Sequence, residues 1–204
     1  MLDLPPPVPA IEFNLASRGI SKGLAQTKGP QLLVRGELGF GRVYLGAYAK
    51  NVTSSSAEGE AAASIGVRTS AAGLDVSASA AWKRAIEPAP GSDVNALEVN
   101  GTISHKGRVT PKLSITWSPD DVGSTRHTVF AEAGASYKIA RAWTASAALG
   151  RRERGGGPDY TAWNAGIAWS PAKPVTLDLR YYDTDHGGEQ PYRARGVVSA
   201  RVRF

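Results

Sequence analysis

Arg195-Gly196-Val197-Val198-Ser199-Ala200-Arg201-Val202-Arg203-Phe204 closes the chain. Counting back in twos from Phe204 gives Val202, Ala200, Val198 and Gly196, and between them stand Arg203, Arg201, Ser199 and Val197. Side chains alternate across a strand, so this segment reads as a strand with one apolar and one largely polar face. The same period of two recurs upstream along most of the chain.

The chain has 204 residues, the length of one domain or at most two. It carries 24 Lys and Arg against 18 Asp and Glu, a formal charge of +6. The bases are spread along strands and loops and form no dense block, which argues against nucleic acid as a partner. With Cys 0, neither a disulfide frame nor a thiolate metal site is available. The start, Met1-Leu2-Asp3-Leu4-Pro5-Pro6-Pro7, has no charged n-region and no apolar h-region, so any signal peptide is expected to have been removed already. No apolar run of about 18 residues occurs, so no transmembrane helix is expected.

Helical periodicity is nearly absent. Residues 61–82 are Ala-rich, but Gly66 and Gly73 interrupt them and alternation describes them better. Twelve strands are predicted, at 9–15, 31–39, 41–50, 59–70, 73–82, 95–104, 109–117, 126–138, 142–151, 160–169, 175–183 and 193–204. Short turns (39–41, 71–73, 105–108, 139–141, 170–174) interleave with longer loops (16–30, 51–58, 83–94, 118–125, 152–159, 184–192). Strict interleaving is the mark of an antiparallel up-and-down barrel of the outer-membrane type, with short periplasmic turns and longer external loops. A last strand ending on an aromatic fits that class and is the expected contact for the barrel-assembly machinery. Residues 1–8 then read as a periplasmic Pro-rich tail and 9–204 as a single barrel domain. A soluble sandwich is the alternative, but it gives no reason for the loop alternation.

One face of each strand reads as lipid-facing, for example Leu74, Val76, Ala78, Ala80 and Trp82, or Val109, Leu113, Ile115 and Trp117. Aromatics on that face gather toward strand ends: Phe13, Trp82, Trp117, Tyr137, Trp143, Trp163, Trp169 and Phe204. Two aromatic girdles at the membrane interfaces are expected from them.

Residues 13–52 carry a resemblance. Arg18-Gly19-Ile20-Ser21, then Gly29-Pro30-Gln31, then a strand holding Tyr44, Gly46, Tyr48, Asn51 and Val52 resemble the opening of the TorF family of porins. The resemblance continues more loosely to Phe204. Leu15-Ala16-Ser17 stands where the family has acidic and aromatic residues, and Glu58-Gly59-Glu60 leads into Ala-rich sequence instead of the family's fourth-strand pattern. The resemblance implies an outer-membrane, porin-like barrel and says little about its solute.

Opposite the lipid face, parity places Arg35, Arg42, Lys50, Arg68, Lys112, Lys138, Arg180, Arg195, Arg201 and Arg203 toward the lumen. The acids there are Glu37, Glu60, Asp75, Glu98, Glu132 and Asp178, so the bases are in excess. Arg42, Arg68, Lys112, Lys138, Arg201 and Arg203 cluster at the short-turn end, where a basic vestibule would bias a pore toward anions. The expected function is passive diffusion of small polar solutes, with no reaction and no cofactor. The alternative is a barrel plugged by charge pairs, Arg35, Glu37, Glu132, Asp178 and Arg180 among them, that binds a partner or surface ligand through its external loops.

Other chemistry is thinner. His127 has lipid-facing parity near a strand's external end, where a Ser-His pair would suit an acyl hydrolase, but no G-x-S-x-G accompanies it. Asp183-Thr184-Asp185-His186 has cation-ligand types without the spacing of a calcium loop, and reads as a solvated loop. Arg151, Arg152 and Arg154 are candidates for lipopolysaccharide phosphates at the outer surface, or simply a charged loop. Outer-membrane lipid, lipopolysaccharide and small polar solutes are the expected partners.

Overall fold

The computed structural model describes residues 5–53, 57–121 and 126–204. Its strands are β1 (Val8–Ala16), β2 (Ile20–Ser21), β3 (Leu24–Ala25), β4 (Gln31–Phe40), β5 (Val43–Asn51), β6 (Ala57–Ala71) and β7 (Leu74–Pro88). They continue with β8 (Asn95–His105), β9 (Val109–Asp120), β10 (Thr128–Ala140), β11 (Trp143–Arg154), β12 (Tyr160–Trp169), β13 (Val175–Thr184) and β14 (Arg195–Arg203). All except β2 and β3 pair with their chain neighbours into one closed antiparallel barrel, sealed where β1 meets β14. Closure pairs Phe13 with Val202 and Asn14 with Arg201, so no edge is left unpaired. This excludes the sandwich, which needs a second sheet.

Each predicted strand has its counterpart, and two-residue turns close three of the five short connections, at 41–42, 72–73 and 141–142. Ala72 (φ 50°) and Gly73 (φ 78°) both adopt the left-handed geometry that a two-residue hairpin requires. The long-loop end differs from expectation. Residues 83–88, expected in a loop, extend β7 and pair with β6 as far as Ala57–Pro88. Likewise β11 runs on to Arg154 against Thr128 of β10. The charged residues there resemble a loop by composition, yet an antiparallel ladder satisfies their backbone and alternation continues. The loop tips at 54–56 and 122–125, and Met1–Leu4 of the tail, lie outside the described residues.

The inside-outside pattern is inverted relative to a soluble protein. Val109, Leu113, Ile115 and Trp117 of β9 are exposed on the outer wall, whereas Thr110, Ser114, Thr116 and Ser118 point inward. All eight aromatics named above face outward, from 37% exposed at Trp163 to 69% at Phe204. Register places Trp82, Trp117 and Trp163 toward the long loops. Tyr137, Trp143, Trp169 and Phe204 lie toward the short turns, where Trp143 and Trp169 stack at 5.8 Å. The apolar belt so formed far exceeds the patches that water tolerates on a monomer.

Candidate functional site

The first long connection does not stay outside the barrel. Residues 20–25 form a small hairpin in which Ile20 pairs with Ala25 and Ser21 with Leu24. Its turn is Lys22 (φ 51°) and Gly23 (φ 81°), again a left-handed pair. The base is closed by the Gly19 N–H donating to Thr27 Oγ1 (2.8 Å) and the Gln26 N–H to the Gly19 carbonyl (2.8 Å). The barrel wall holds it there: the Thr53 N–H donates to the Gln26 carbonyl at 2.7 Å and Lys50 Nζ to Gln26 Oε1 at 2.7 Å. Leu24 is buried with Tyr160 and Ala162 of β12, and Tyr160 Oη donates to the Lys22 carbonyl at 2.7 Å. A hairpin that leaves between β1 and β4 thus crosses the lumen to reach β12 and, through Lys22, β8.

Around its tip the lumen is packed with paired charge. Lys22 Nζ lies 2.6 Å from Glu98 and 3.6 Å from Asp121. Lys83 sits among Glu60 (3.5 Å), Glu98 (3.5 Å) and Asp121 (3.8 Å). Lys50 meets Glu60 at 3.1 Å and Arg152 meets Asp121 at 2.7 Å. Tyr48 Oη donates to Glu60 at 2.5 Å. Buried ions are tolerated only when compensated, and here each acid is shared between at least two bases.

The network and hairpin divide the lumen. Toward the long loops lies a cavity of about 180 Å³ bounded by Lys22, Gln26, Lys83 and Arg152. Toward the short turns lies one of about 410 Å³, reached by Lys22, Lys112, Glu132, Asn164 and Arg180. A further cavity of about 480 Å³ sits at the short-turn mouth, lined by Arg42, Arg68 and Asp75 among others.

The predicted lumen residues separate into groups. Glu60 and Glu98 belong to the network. Arg180 is held flat on the wall by Asp178 (3.1 Å), Asn164 (2.7 Å) and Ser146 (2.7 Å). Arg68 pairs with Glu37 at 2.6 Å and lies over the Tyr44 ring, and Arg35 lies near the inward ring of Tyr48. Arg195 is tied at the long-loop rim by the Pro191 and Arg193 carbonyls. Arg201 and Arg203 follow inward parity, level with Asn14 and Glu12. Arg42 sits in the turn at 41–42, just before β5 and off the strand expected from 41, and lines the cavity at the short-turn mouth with Arg68. The closed set expected from Arg35, Glu37, Glu132, Asp178 and Arg180 is corrected. Among the described residues only Asp178 and Arg180 of that set pair with each other, Glu37 pairs instead with Arg68, and the closing network uses other residues.

The lumen placement of Lys22, Lys83, Asp121 and Arg152 was not read from the sequence. Arg152 had a usable signal: Leu149 faces out, so parity turns 150 and 152 inward once the strand continues. It is therefore no lipopolysaccharide contact, whereas Arg151 does face outward, near Asp159 (3.6 Å). His127 precedes β10 and is exposed, its ring against Gly155. Asp185 serves as a loop anchor, accepting the Thr161 N–H at 2.9 Å, and that backbone bond lowers its carboxyl pKa below the ordinary aspartate value. Among the described residues no group of three metal-binding side chains converges.

The KdgM porin superposes with a TM-score of 0.66 at 9% identity, covering 96% of this chain and 99% of that one. The NanC porin gives 0.65 at 7% identity, covering 94% and 97%. The COG4313 outer membrane channel from Pseudomonas putida F1 gives 0.55 at 11%, covering 100% and 96%. At such identities the likeness is one of fold. No curated protein matches by sequence. Residues 18–201 match a family described as "Bacterial protein of unknown function (Gcw_chp)", and the chain belongs to that family.

Proposed function

We propose that this chain is an outer-membrane channel that passes small polar solutes by diffusion past an inward-folded hairpin, with a bias toward anions. The observation that carries the reading is a polar, charged lumen, holding cavities on both sides of the hairpin, inside a closed barrel whose outer wall is apolar. Only lipid offsets such an outer belt, and only a closed barrel satisfies strand backbone in lipid. The resemblance to TorF family porins agrees with this, and so does the fold shared with porins.

In this reading the short turns and residues 1–8 face the periplasm and the outward aromatics form two interfacial girdles. Lipopolysaccharide surrounds the long-loop half, and the C-terminal strand ending in Phe204 is what the barrel-assembly machinery engages. The lumen-facing set described above lines the path. Its bias comes from Lys112, Lys138 and Arg201, which have no ion-pair partner among the described residues. A KdgM porin has been solved in complex with disordered oligogalacturonate, an acidic sugar chain. The hairpin here leaves room for smaller solutes.

Proteoliposome swelling tests the reading. Vesicles carrying the folded barrel are expected to swell in glycerol or glycine faster than empty vesicles, and to discriminate against disaccharides. Swelling no faster than empty vesicles overturns it. The compensated network and seated hairpin favour a second reading, a plugged barrel that binds a partner through its external loops, and that is the outcome which such silence would support.

A further inference from the structure

The cavity on the short-turn side owes its volume to a patch of small inward residues. Gly134, Ala148, Ser136 and Ser146 face it from β10 and β11, and a Cβ on Gly134 would stand 2.9 Å from that of Ala148. The hairpin tip, with Ile20, Lys22 and Gly23, roofs the recess. Into it point two opposite charges, Lys112 and Glu132, and neither has an ion-pair partner among the described residues. The inward acids nearby behave otherwise: Glu98, Asp121 and Asp178 each hold a base.

Register fixes how the two relate. Lys112 is level with Gly134, and Glu132 lies two residues further along the same strand. They are diagonal neighbours, with Cα atoms about 7–8 Å apart, and their side chains do not join. A solute whose own carboxylate and ammonium are one carbon apart can bridge that gap. Its carboxylate would meet Lys112 and its ammonium Glu132, while Arg180, already neutralised by Asp178, and Asn164 offer polar wall to the remainder.

We infer that this recess is a binding subsite for a small zwitterion of the α-amino-acid class, an inference resting on the channel reading for the solute's access. Charge-assisted hydrogen bonds at both ends discriminate a zwitterion from molecules bearing one charge. The volume of about 410 Å³ leaves room for bridging water beside it.

The test is equilibrium dialysis of radiolabelled L-glutamine against the folded, detergent-solubilised barrel, with N-acetylglutamine (anion) and glutamine amide (cation) as comparisons. L-Glutamine is expected to bind saturably and roughly tenfold more tightly than either analogue. Glu132→Gln should weaken glutamine and the amide by roughly tenfold and leave the N-acetyl compound unchanged, whereas Lys112→Met should weaken glutamine and the N-acetyl compound by roughly tenfold and leave the amide unchanged. Equal affinity for all three, no saturable binding, or equal loss across them overturns the inference. If a variant fails to show the heat-shifted gel mobility of a folded barrel, the ligand series on the unaltered protein decides alone. The assay does not need conduction. Binding without bilayer current removes the channel reading, and current without binding removes only the subsite.

Discussion

Gly23→Ala should unseat the hairpin, and Ala162→Gly should seat it again. An ideal Cβ on Gly23 falls 2.2 Å from Ala162 Cβ. Carbon atoms rest at about 3.5–4.0 Å, so the tip must retreat by roughly 1.5 Å. That retreat breaks the 2.7 Å bond from Tyr160 Oη to the Lys22 carbonyl, about 1 kcal/mol net. It also withdraws part of the Leu24 side chain, whose full burial contributes about 1.5–3 kcal/mol. The left-handed φ of 81° adds about 1–2 kcal/mol for any residue with a Cβ. Together the seated state loses about 3–5 kcal/mol, and each 1.4 kcal/mol is about tenfold in population. With Ala162→Gly as well, the nearest remaining neighbours of the new Cβ are Ala162 Cα (3.7 Å) and Tyr160 Cε2 (3.8 Å), both ordinary contacts. Only the backbone penalty then remains. Single-channel recording is the assay: Gly23→Ala should conduct more and flicker, and the double variant should return close to the unaltered conductance. Unchanged conductance in Gly23→Ala, or a double variant no different from it, would refute the seating of the hairpin on β12.

Four further outcomes can be measured. Lys83→Met removes a base shared by Glu60, Glu98 and Asp121, and should cost about 3–5 kcal/mol, read as a lower temperature for loss of heat-shifted gel mobility. Glu60→Gln combined with Lys83→Met should cost less than the two separately, because one buried charge is then left with fewer missing partners. Reversing Lys138 and Arg201 to Glu should move the zero-current potential in a salt gradient toward cations, with little change in thermal stability, since both side chains are exposed at the short-turn mouth. Asp185 has a depressed folded-state pKa, so its anchor to Thr161 is in place above the unfolded aspartate value and is lost as pH falls through the depressed one. Protease cutting within residues 185–194 should accelerate over that acid range, and Asp185→Asn should abolish the pH dependence.

The barrel was legible because each strand exposes its apolar side chains on one side, and a period of two survives even in Ala-rich stretches such as 61–82. Closure followed from the even strand count and the alternating loops. What could not be read was where the long-loop strands stop. Lys83-Arg84 and Arg151-Arg152 have loop composition, and only the ladder to the neighbouring strand reveals that Lys83 and Arg152 point inward. The hairpin was harder still. Lys22-Gly23 marks a turn, but whether that turn leans outward or into the lumen depends on Tyr160, Ala162 and Glu98, more than seventy residues away in sequence. Arg42 sits within a tight turn, where parity does not apply, yet that turn still brings it to the short-turn mouth.

The most direct measurement is single-channel current across a planar bilayer under a salt gradient, using barrel shown to be folded by heat-shifted mobility. Discrete current steps with a reversal potential on the anion side are the predicted result. Sustained silence, or a reversal potential on the cation side, would contradict a basic, hairpin-constricted pore.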